Sequence, residues 1–176
     1  PNLIADPVHA RALGISIIYQ ELSMVENLTV AENIFLAREP LHAGFLLDRA
    51  RMNREAGQVL ATLHMDIDPA TPVAQLSIGQ KQMFEIAKAI SYQAKIIIMD
   101  EPTASLSHHE AVTLMGLIHK LRERGIGVVY ITHRLDEIFE IADRVTILRD
   151  GSTVDCLPIA AVTRDTIHQP SVYSKL

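Results

Sequence analysis

Two adjacent carboxylates follow a short apolar run near the middle of the chain. The run "IIIM", residues 96–99, ends in Asp100 and Glu101, and a proline comes next. In an open parallel sheet, ligands bind at the carboxyl ends of the strands, so a strand here carries both acids to a binding edge. One carboxylate can hold Mg²⁺ and the other can orient or deprotonate a water molecule. The simpler interpretation is an Asp that caps the next turn beside a solvated Glu.

The stretch "LSIGQKQMFEIAKAI", residues 76–90, has the features of a helix that begins at an anion site. Ser77 and Gln80 stand at the spacing of a capping box, which satisfies two main-chain donors at a helix start. The amides of the first turn favour phosphate through hydrogen bonds and the helix dipole, and Gly79 permits a close approach to the main chain. Taken alone, the stretch favours a well-capped amphipathic helix without a ligand.

Two further polar side chains each come directly after a predicted strand. Gln20 follows "ISIIY" and His133 follows "VVYIT". An amide can meet a metal or a water, and an imidazole can donate to a phosphate. Because the carboxyl ends of parallel strands meet at one edge, we expect Gln20, Asp100, Glu101 and His133 to converge there, which favours a functional site over simple capping.

The elements that position these residues alternate between strands and helices. Apolar runs predict strands at residues 15–19, 95–99, 127–132 and 144–149. Helical periodicity predicts helices that begin near Asp48, Ser77 and Ser107, with a second capping box at Ser107 and Glu110 and a short helix over 134–142. This alternation predicts an α/β fold with a parallel sheet covered by helices. The block 21–93 is predicted to be a helical insertion into that sheet.

Composition excludes several function classes. The 176 residues are 48% hydrophobic and 21% charged, which is typical of a globular domain. A net charge of −5 without a basic block, together with the absence of Trp, argues against nucleic acid as a partner. Cys156 is the one cysteine, so no internal disulfide is possible and a reducing compartment fits. No apolar stretch approaches the roughly 20 residues that span a bilayer.

The order of these motifs resembles the nucleotide-binding domain of an ABC ATPase. That order is a Gln after a strand, a helical insertion, "LSIGQ", an apolar strand into Asp-Glu-Pro, and a His after the next strand. The stretches "IYQELSMVENLTVAENIFLARE" and "YITHRLDEIFEIADRVTILRDG" resemble the first ATPase domain of tandem ATP-binding subunits of bacterial sugar importers, the ribose/galactose/xylose type. The resemblance covers about residues 1–167. It implies a P-loop NTPase-like, mostly parallel sheet with a helical subdomain at about 21–93, a catalytic core at 1–20 and 94–150, and a divergent tail at 168–176.

The resemblance also implies roles for individual residues. Asp100 matches the carboxylate that holds Mg²⁺ through water, and Glu101 matches the catalytic base. Gln20 matches the residue that contacts the metal and couples to the membrane subunits, and His133 matches the residue that contacts the γ-phosphate. The signature motif corresponds to Ser77, Ile78, Gly79 and Gln80. In the family this motif contacts the ATP that the opposite domain holds.

The same resemblance implies the cofactors, partners and location. The cofactors are ATP and Mg²⁺. The partners are a second ATPase domain in a head-to-tail sandwich, transmembrane permease subunits and, indirectly, a periplasmic sugar-binding protein, with no nucleic acid. The location is the cytoplasmic face of the bacterial inner membrane.

One departure from the family pattern concerns phosphate binding. The family uses the loop G-x-x-x-x-G-K-[ST], which cradles phosphates with main-chain amides and a Lys, and this chain contains no Gly-Lys pair. In the family that loop precedes the strand that leads to Gln20, so the chain is expected to be a domain incomplete at its N-terminus. The strand that leads into the loop is also missing, which is expected to leave unpaired strand edges.

Two alternatives to a sugar-importer ATPase remain open at this point. The chain can be a catalytically incomplete remnant or interaction module, which offers Ser77 and Gly79 to a partner's nucleotide or docks on a membrane subunit through the Gln20 region. It can also be an ABC ATPase of translation or DNA repair, although the basic and aromatic features that nucleic acid requires are missing.

Overall fold

A computed structural model of the chain describes residues 4–20, 23–149 and 151–163. The chain divides into two compact units, Pro1–Ile131 and Thr132–Leu176. No helix among the described residues is both long enough and apolar enough to cross a membrane.

The first unit alternates strands and helices. Its elements in chain order are α1 (Pro7–Ala12), β1 (Ile15–Ile18), α2 (Val30–Ile34), β2 (Leu41–His42), β3 (Leu46–Leu47), α3 (Arg49–Thr62), a 3₁₀ turn (Val73–Gln75), α4 (Ile78–Ser91), β4 (Ile96–Asp100), α5 (His108–Glu123) and β5 (Gly127–Ile131). Strands β1, β4 and β5 form a parallel sheet in the order β1-β4-β5. The predicted α/β class with a parallel sheet is therefore confirmed.

The sheet buries one of its faces more fully than the other. Side chains alternate across a strand, and Ile97 and Met99 of β4 are fully buried on one face. The opposite face retains exposed apolar side chains, with Ile17 44%, Val129 48% and Ile131 47% exposed. Among the described residues of the first unit, helices therefore cover this face less completely than predicted, because the apolar runs of β1 and β5 do not distinguish a strand packed on both sides from one packed on one side.

The segment between β1 and β4 is mostly helical, as predicted, with one exception. Strands β2 and β3 pair antiparallel as a small hairpin, with Leu41 opposite Leu47. The sequence patterns end one helix at Pro40 and begin the next at Asp48, and they predicted no strand between them. The chain turns instead because Ala43 and Gly44, which follow Pro40 closely, both adopt positive φ angles of 51° and 83°.

The helix starts agree with the sequence patterns. The side chain of Asp48 accepts a hydrogen bond from the N–H of Arg51 and begins α3. Helices α4 and α5 both open with complete capping boxes, Ser77 with Gln80 and Ser107 with Glu110. These three starts are confirmed, because each polar side chain satisfies a main-chain donor that the first helical turn leaves open.

The second unit contains a short helix and a hairpin. Its described elements are α6 (Leu135–Ile141), β6 (Arg144–Arg149), β7 (Ser152–Pro158) and a 3₁₀ turn (Ile159–Ala161). The predicted helix and the predicted strand at 144–149 are both present. Strand β7 was not predicted, and it pairs antiparallel with β6 rather than extending a parallel run. The predicted Asp150–Gly151 turn includes Asp150, which lies outside the described residues.

Candidate functional site

The carboxyl ends of β1 and β4 lie side by side in the first unit. Ile18, the last residue of β1, is paired with Met99 in the parallel register. Gln20 and Glu101 each lie two residues beyond that pair, and Asp100 is the last residue of β4. The structure thus brings three of the four predicted polar residues to one edge of the sheet.

The fourth residue, His133, belongs to the second unit, between β5 and α6. The neighbouring hydroxyl of Thr132 donates to the carboxylate of Glu137 and accepts from the N–H of Arg134, which fixes the entry into α6. The convergence of His133 with the carboxylates of the first unit remains a prediction.

Glu101 has an unusual main-chain conformation for a residue that follows a strand. Its φ is 44°, in the left-handed region that residues with a Cβ rarely occupy. Its N–H donates to the carbonyl oxygen of Ile131 at 2.9 Å, and its own carbonyl oxygen accepts from the N–H of Ala104 at 3.1 Å. Such conformations cost energy and cluster at functional sites, where the surrounding structure holds them.

The donor set at this edge fits one mode of Mg²⁺ binding. Among the described residues, no group of three or more His, Cys, Asp or Glu side chains comes together. Mg²⁺ commonly uses one or two carboxylates and completes its shell with waters and phosphate oxygens, rather than an all-protein cage. Adjacent carboxylates at Asp100 and Glu101 suit that mode.

The start of α4 presents the signature-like residues on its first turn. The hydroxyl of Ser77 accepts from the N–H of Gln80 at 3.2 Å, and the side chain of Gln80 accepts from the N–H of Ser77 at 2.9 Å. Ile78 is 53% exposed although it is apolar, and Gly79 is buried. The side chains of Ser77 and Gln80 are therefore both used in the cap, and an exposed isoleucine stands between Ser77 and the buried glycine.

A neighbouring side chain occupies the space above Gly79. A Cβ added at Gly79 would come within 2.5 Å of Cδ and 2.7 Å of Cγ of Glu110, which belongs to α5. The sequence identified Glu110 only as the partner of Ser107 in a capping box. Its proximity to Gly79 depends on how α4 and α5 pack, and no local pattern reports that.

A cavity opens beside this contact. It has a volume of about 700 Å³ and lies within the first unit, between the start of α4, the segment after α3, and α5. Its lining includes Ser77, Gly79, Met83, Glu110, Gly116 and Lys120. Apolar walls with a few polar groups at the rim are typical of ligand-sized cavities.

Two lysines of α4, which no sequence pattern indicated, form hydrogen bonds or ion pairs with the chain beyond Gln20. Nζ of Lys88 donates to the carbonyl oxygen of Ser23 at 3.0 Å. Nζ of Lys81 lies 2.7 Å from Oε1 of Glu26, which lowers the pKa of that carboxyl. Helix α4 thus contacts the chain after β1 at two points along its length.

Glu85 is a buried acid in the same helix. It is 8% exposed, and burial raises the pKa of its carboxyl, an effect that the ammonium of Lys88 at 3.6 Å opposes. It lines a second cavity of about 370 Å³ together with Tyr19 and Ser23, which lie on either side of the Gln20 segment. No sequence pattern indicates this burial, because a Glu in an amphipathic helix is usually solvated.

Comparisons with known proteins add independent findings. A family model described as "ABC transporter" matches residues 4–104. The galactose/methyl galactoside import ATP-binding protein MglA of Pasteurella multocida is 50% identical over 154 residues, which are 88% of this chain and 30% of that protein. The chain spans about a third of the length of the curated relatives it matches.

Solved structures share the fold. The crystal structure of a nucleotide-free ATP-binding cassette from an ABC transporter superposes with a TM-score of 0.77 at 22% identity, and the alignment covers 96% of this chain and 70% of that chain. An inward-facing conformation of a metal-chelate type ABC transporter gives a TM-score of 0.73 at 22% identity over 88% of this chain and 62% of that chain. At these identities the likeness concerns the fold.

Proposed function

The chain belongs to the ABC transporter family, and on that premise we propose that it forms part of the ATP-hydrolysing subunit of a bacterial sugar importer. One observation carries the proposal. Asp100 ends the central strand β4, Glu101 follows it directly, and the register with β1 puts Gln20 at the same edge. The import of galactose and methyl galactoside named for a relative that is 50% identical supports a sugar as the transported substrate.

In this proposal each residue at the edge has a separate task. Asp100 and Gln20 hold Mg²⁺, which screens the phosphate charges of ATP when it is bound. Glu101 orients the attacking water and accepts its proton, a general-base contribution of about 10²–10⁴ in rate. His133, which belongs to the second unit, is assigned a hydrogen bond to the γ-phosphate from its match to the family motif. The positive φ of Glu101 supports its assignment, since strained residues cluster at catalytic sites.

The start of α4 acts on a different nucleotide. Ser77, Ile78, Gly79 and Gln80 face the ATP held by a second ATPase domain in a head-to-tail sandwich. The N-terminal amides and the dipole of a 14-residue helix favour a phosphate at this position. The assembly docks on permease subunits at the cytoplasmic face of the inner membrane, and a periplasmic sugar-binding protein delivers the substrate.

A second candidate function has one observation in its favour. The sequence contains no Gly-Lys pair, so the usual phosphate loop is missing from these residues. In that case the chain is an interaction module, which presents the start of α4 to a partner's nucleotide without holding ATP itself. ATP hydrolysis by this chain in isolation would contradict the second candidate.

The substitution Glu101→Gln tests the first candidate in the protein as the cell makes it, assembled with its permease. Loss of the base lowers ATP turnover by about 10²–10⁴-fold, while ATP binding is retained because the amide has nearly the same shape. Turnover and nucleotide affinity are measured separately on the purified assembly.

Glu123→Gln is the matched control. It removes one carboxylate from an exposed position at the end of α5, in the same unit. Turnover of this variant is expected to equal that of the wild type. If Glu101→Gln hydrolyses ATP at the wild-type rate, the assignment of the base, and with it the proposed mechanism, is wrong.

A further inference from the structure

The packing of two helix starts puts a carboxylate where phosphate is expected. Helix α5 begins beside the first turn of α4, and the side chain of Glu110 covers Gly79 so closely that any Cβ at residue 79 would collide with it. The side chain approaches the main chain of α4 at the turn whose amides carry the positive end of the helix dipole.

The two oxygens of this carboxylate have different surroundings. Oε2 accepts from the N–H of Ser107 at 2.9 Å and from its hydroxyl at 2.7 Å, which completes the capping box of α5. Oε1 is the carboxylate atom on the Gly79 side. Hydrogen bonds from the hydroxyl and the amide of Ser107, with a smaller contribution from the amide of Gly79, lower the pKa of Glu110, so it is anionic at neutral pH.

A capping role alone does not explain this arrangement. A capping box needs one carboxylate oxygen at the N-cap residue, and Oε2 fulfils that need. The approach to Gly79 is additional, and it is specific to that glycine. Gly116, in the middle of α5, has no atom within 4 Å of the position its Cβ would occupy.

We propose that Glu110 is an internal anion at the start of α4, which the phosphate of an incoming nucleotide has to displace. The inference rests on the proposed function, since it assumes that the amide of Gly79 meets the ATP of the opposite domain. Two anions cannot share one amide without strong repulsion. Glu110 therefore acts as a positioning residue that raises the ATP concentration at which the two domains engage.

The substitution Glu110→Gln tests this inference in the protein as the cell makes it. Gln also closes a capping box, so the start of α5 is preserved while the negative charge is removed. The ATP concentration for half-maximal turnover is expected to fall by about two- to fivefold, as for removal of one charge from a helix N-terminus, with kcat within about twofold of wild type. A half-maximal concentration that is unchanged or higher would overturn the proposal.

The sign of the effect separates positioning from simple structural support. A variant that only loosened α4 would need more ATP, not less. Glu123→Gln removes a carboxylate from the other end of the same helix and is expected to leave the half-maximal concentration unchanged. If Glu123→Gln lowers it as much as Glu110→Gln does, general electrostatics explain the effect and the proposal is wrong.

Two further variants cover the remaining outcomes. Glu110→Asp keeps the charge but shortens the side chain, which withdraws it from Gly79, and it serves if the Gln variant does not fold. Glu110→Asp is expected to lower the half-maximal ATP concentration by at least about twofold, as Glu110→Gln does. The absence of a decrease would overturn the proposal. Glu101→Gln is measured in parallel. Wild-type turnover in the Glu101→Gln variant would refute the proposed function. If Glu101→Gln loses turnover but the half-maximal ATP concentration of Glu110→Gln equals that of the wild type, only the inference about Glu110 is refuted.

Discussion

The N–H of Glu101 donates to the carbonyl oxygen of Ile131 at 2.9 Å, although Glu101 lies one residue beyond the end of β4. The strand pairing between β4 and β5 therefore continues past Asp100, and the chain turns only after that bond is made. The turn requires a φ of 44° at Glu101. The sheet thus fixes the main-chain N–H of Glu101, and the loop that follows is closed by the hydrogen bond from the N–H of Ala104 to the carbonyl oxygen of Glu101.

The positive φ of Glu101 predicts that a Gly variant at this position is more stable than an Ala variant, which reverses the usual order. Glu101→Gly is expected to exceed Glu101→Ala in unfolding free energy by about 1 kcal/mol, because a Cβ is disfavoured at positive φ. Both variants lack the Glu side chain, so its interactions cancel in the comparison. Urea unfolding of the purified chain measures the difference.

Asp100 provides the control for that pair. It lies in regular parallel strand, paired with Ile131, where Gly is the less favourable residue. Asp100→Gly is expected to be less stable than Asp100→Ala. The same order at both positions would show that Glu101 is not constrained in the left-handed region.

A second prediction concerns the two glycines of α4 and α5. Gly116→Ala is expected to raise the unfolding free energy by up to about 1 kcal/mol, because Ala favours a helix and open space surrounds the added methyl. Gly79→Ala is expected to lower it, since the methyl collides with Glu110. In a Glu110→Ala background the penalty at residue 79 should disappear. Persistence of the penalty in that double variant would mean that the collision is not its cause.

The next prediction concerns the free energy of unfolding that the buried side-chain hydrogen bonds of Asn33 contribute. It is fully buried in α2, and its side chain accepts from the N–H of Val25 at 2.8 Å and donates to the carbonyl oxygens of Val25 at 2.9 Å and Thr29 at 3.1 Å. Asn33→Ala leaves main-chain groups of Val25 and Thr29 without these partners and is expected to cost about 2–4 kcal/mol by urea unfolding. Asn53→Ala, on the partly exposed side of α3, should change stability by less than about 0.5 kcal/mol.

Glu85 predicts a pH dependence of stability with a definite sign. Burial raises the pKa of its carboxyl in the folded state above the ordinary value of 4.5, so the folded chain binds this proton more tightly than the unfolded chain. Its contribution to stability is greatest below pH 4.5 and falls as the pH rises through the folded pKa. Glu85→Gln removes this decline, so the variant should gain stability relative to the wild type as the pH rises above 4.5 and through the folded pKa.

For Glu32 we expect the opposite pH dependence of stability, so a variant of Glu32 is measured beside the Glu85 variant. The N–H of Thr29 donates to its carboxylate and is the largest cause of a lowered pKa. Its stabilisation is therefore present above pH 4.5 and is lost as the pH falls through the folded pKa. Glu32→Gln should be less stable than the wild type at neutral pH, with the gap closing in acid. Parallel pH profiles for the two variants would contradict both assignments.

Local patterns in the sequence accounted for the elements and their starts. The capping boxes at Ser77 and Ser107 and the strand before Asp100 were predictable because each depends on residues within a few positions. The side-by-side placement of Gln20 and Asp100 followed from the general geometry of parallel strands. The fold class and one edge of the candidate site are therefore predictable from the amino-acid sequence alone.

Contacts between distant segments were not predictable. The approach of Glu110 to Gly79, the bond from Lys88 to Ser23 and the burial of Glu85 each join residues whose relation depends on helix packing. The half-open sheet was missed for a similar reason, since an apolar strand does not reveal which of its faces is packed. Short-range patterns specify elements and caps, whereas side-chain partners across elements require the assembled fold.

The open face of the sheet has a consequence for the lifetime of the chain in the cell. Ile17 on β1 and Val129 and Ile131 on β5 lie on the same face of the sheet, on either side of β4, and each is more than two-fifths exposed. Chaperones and quality-control proteases recognise exposed apolar surface of this kind. The degradation rate of the chain in vivo therefore reports whether another surface covers these three residues.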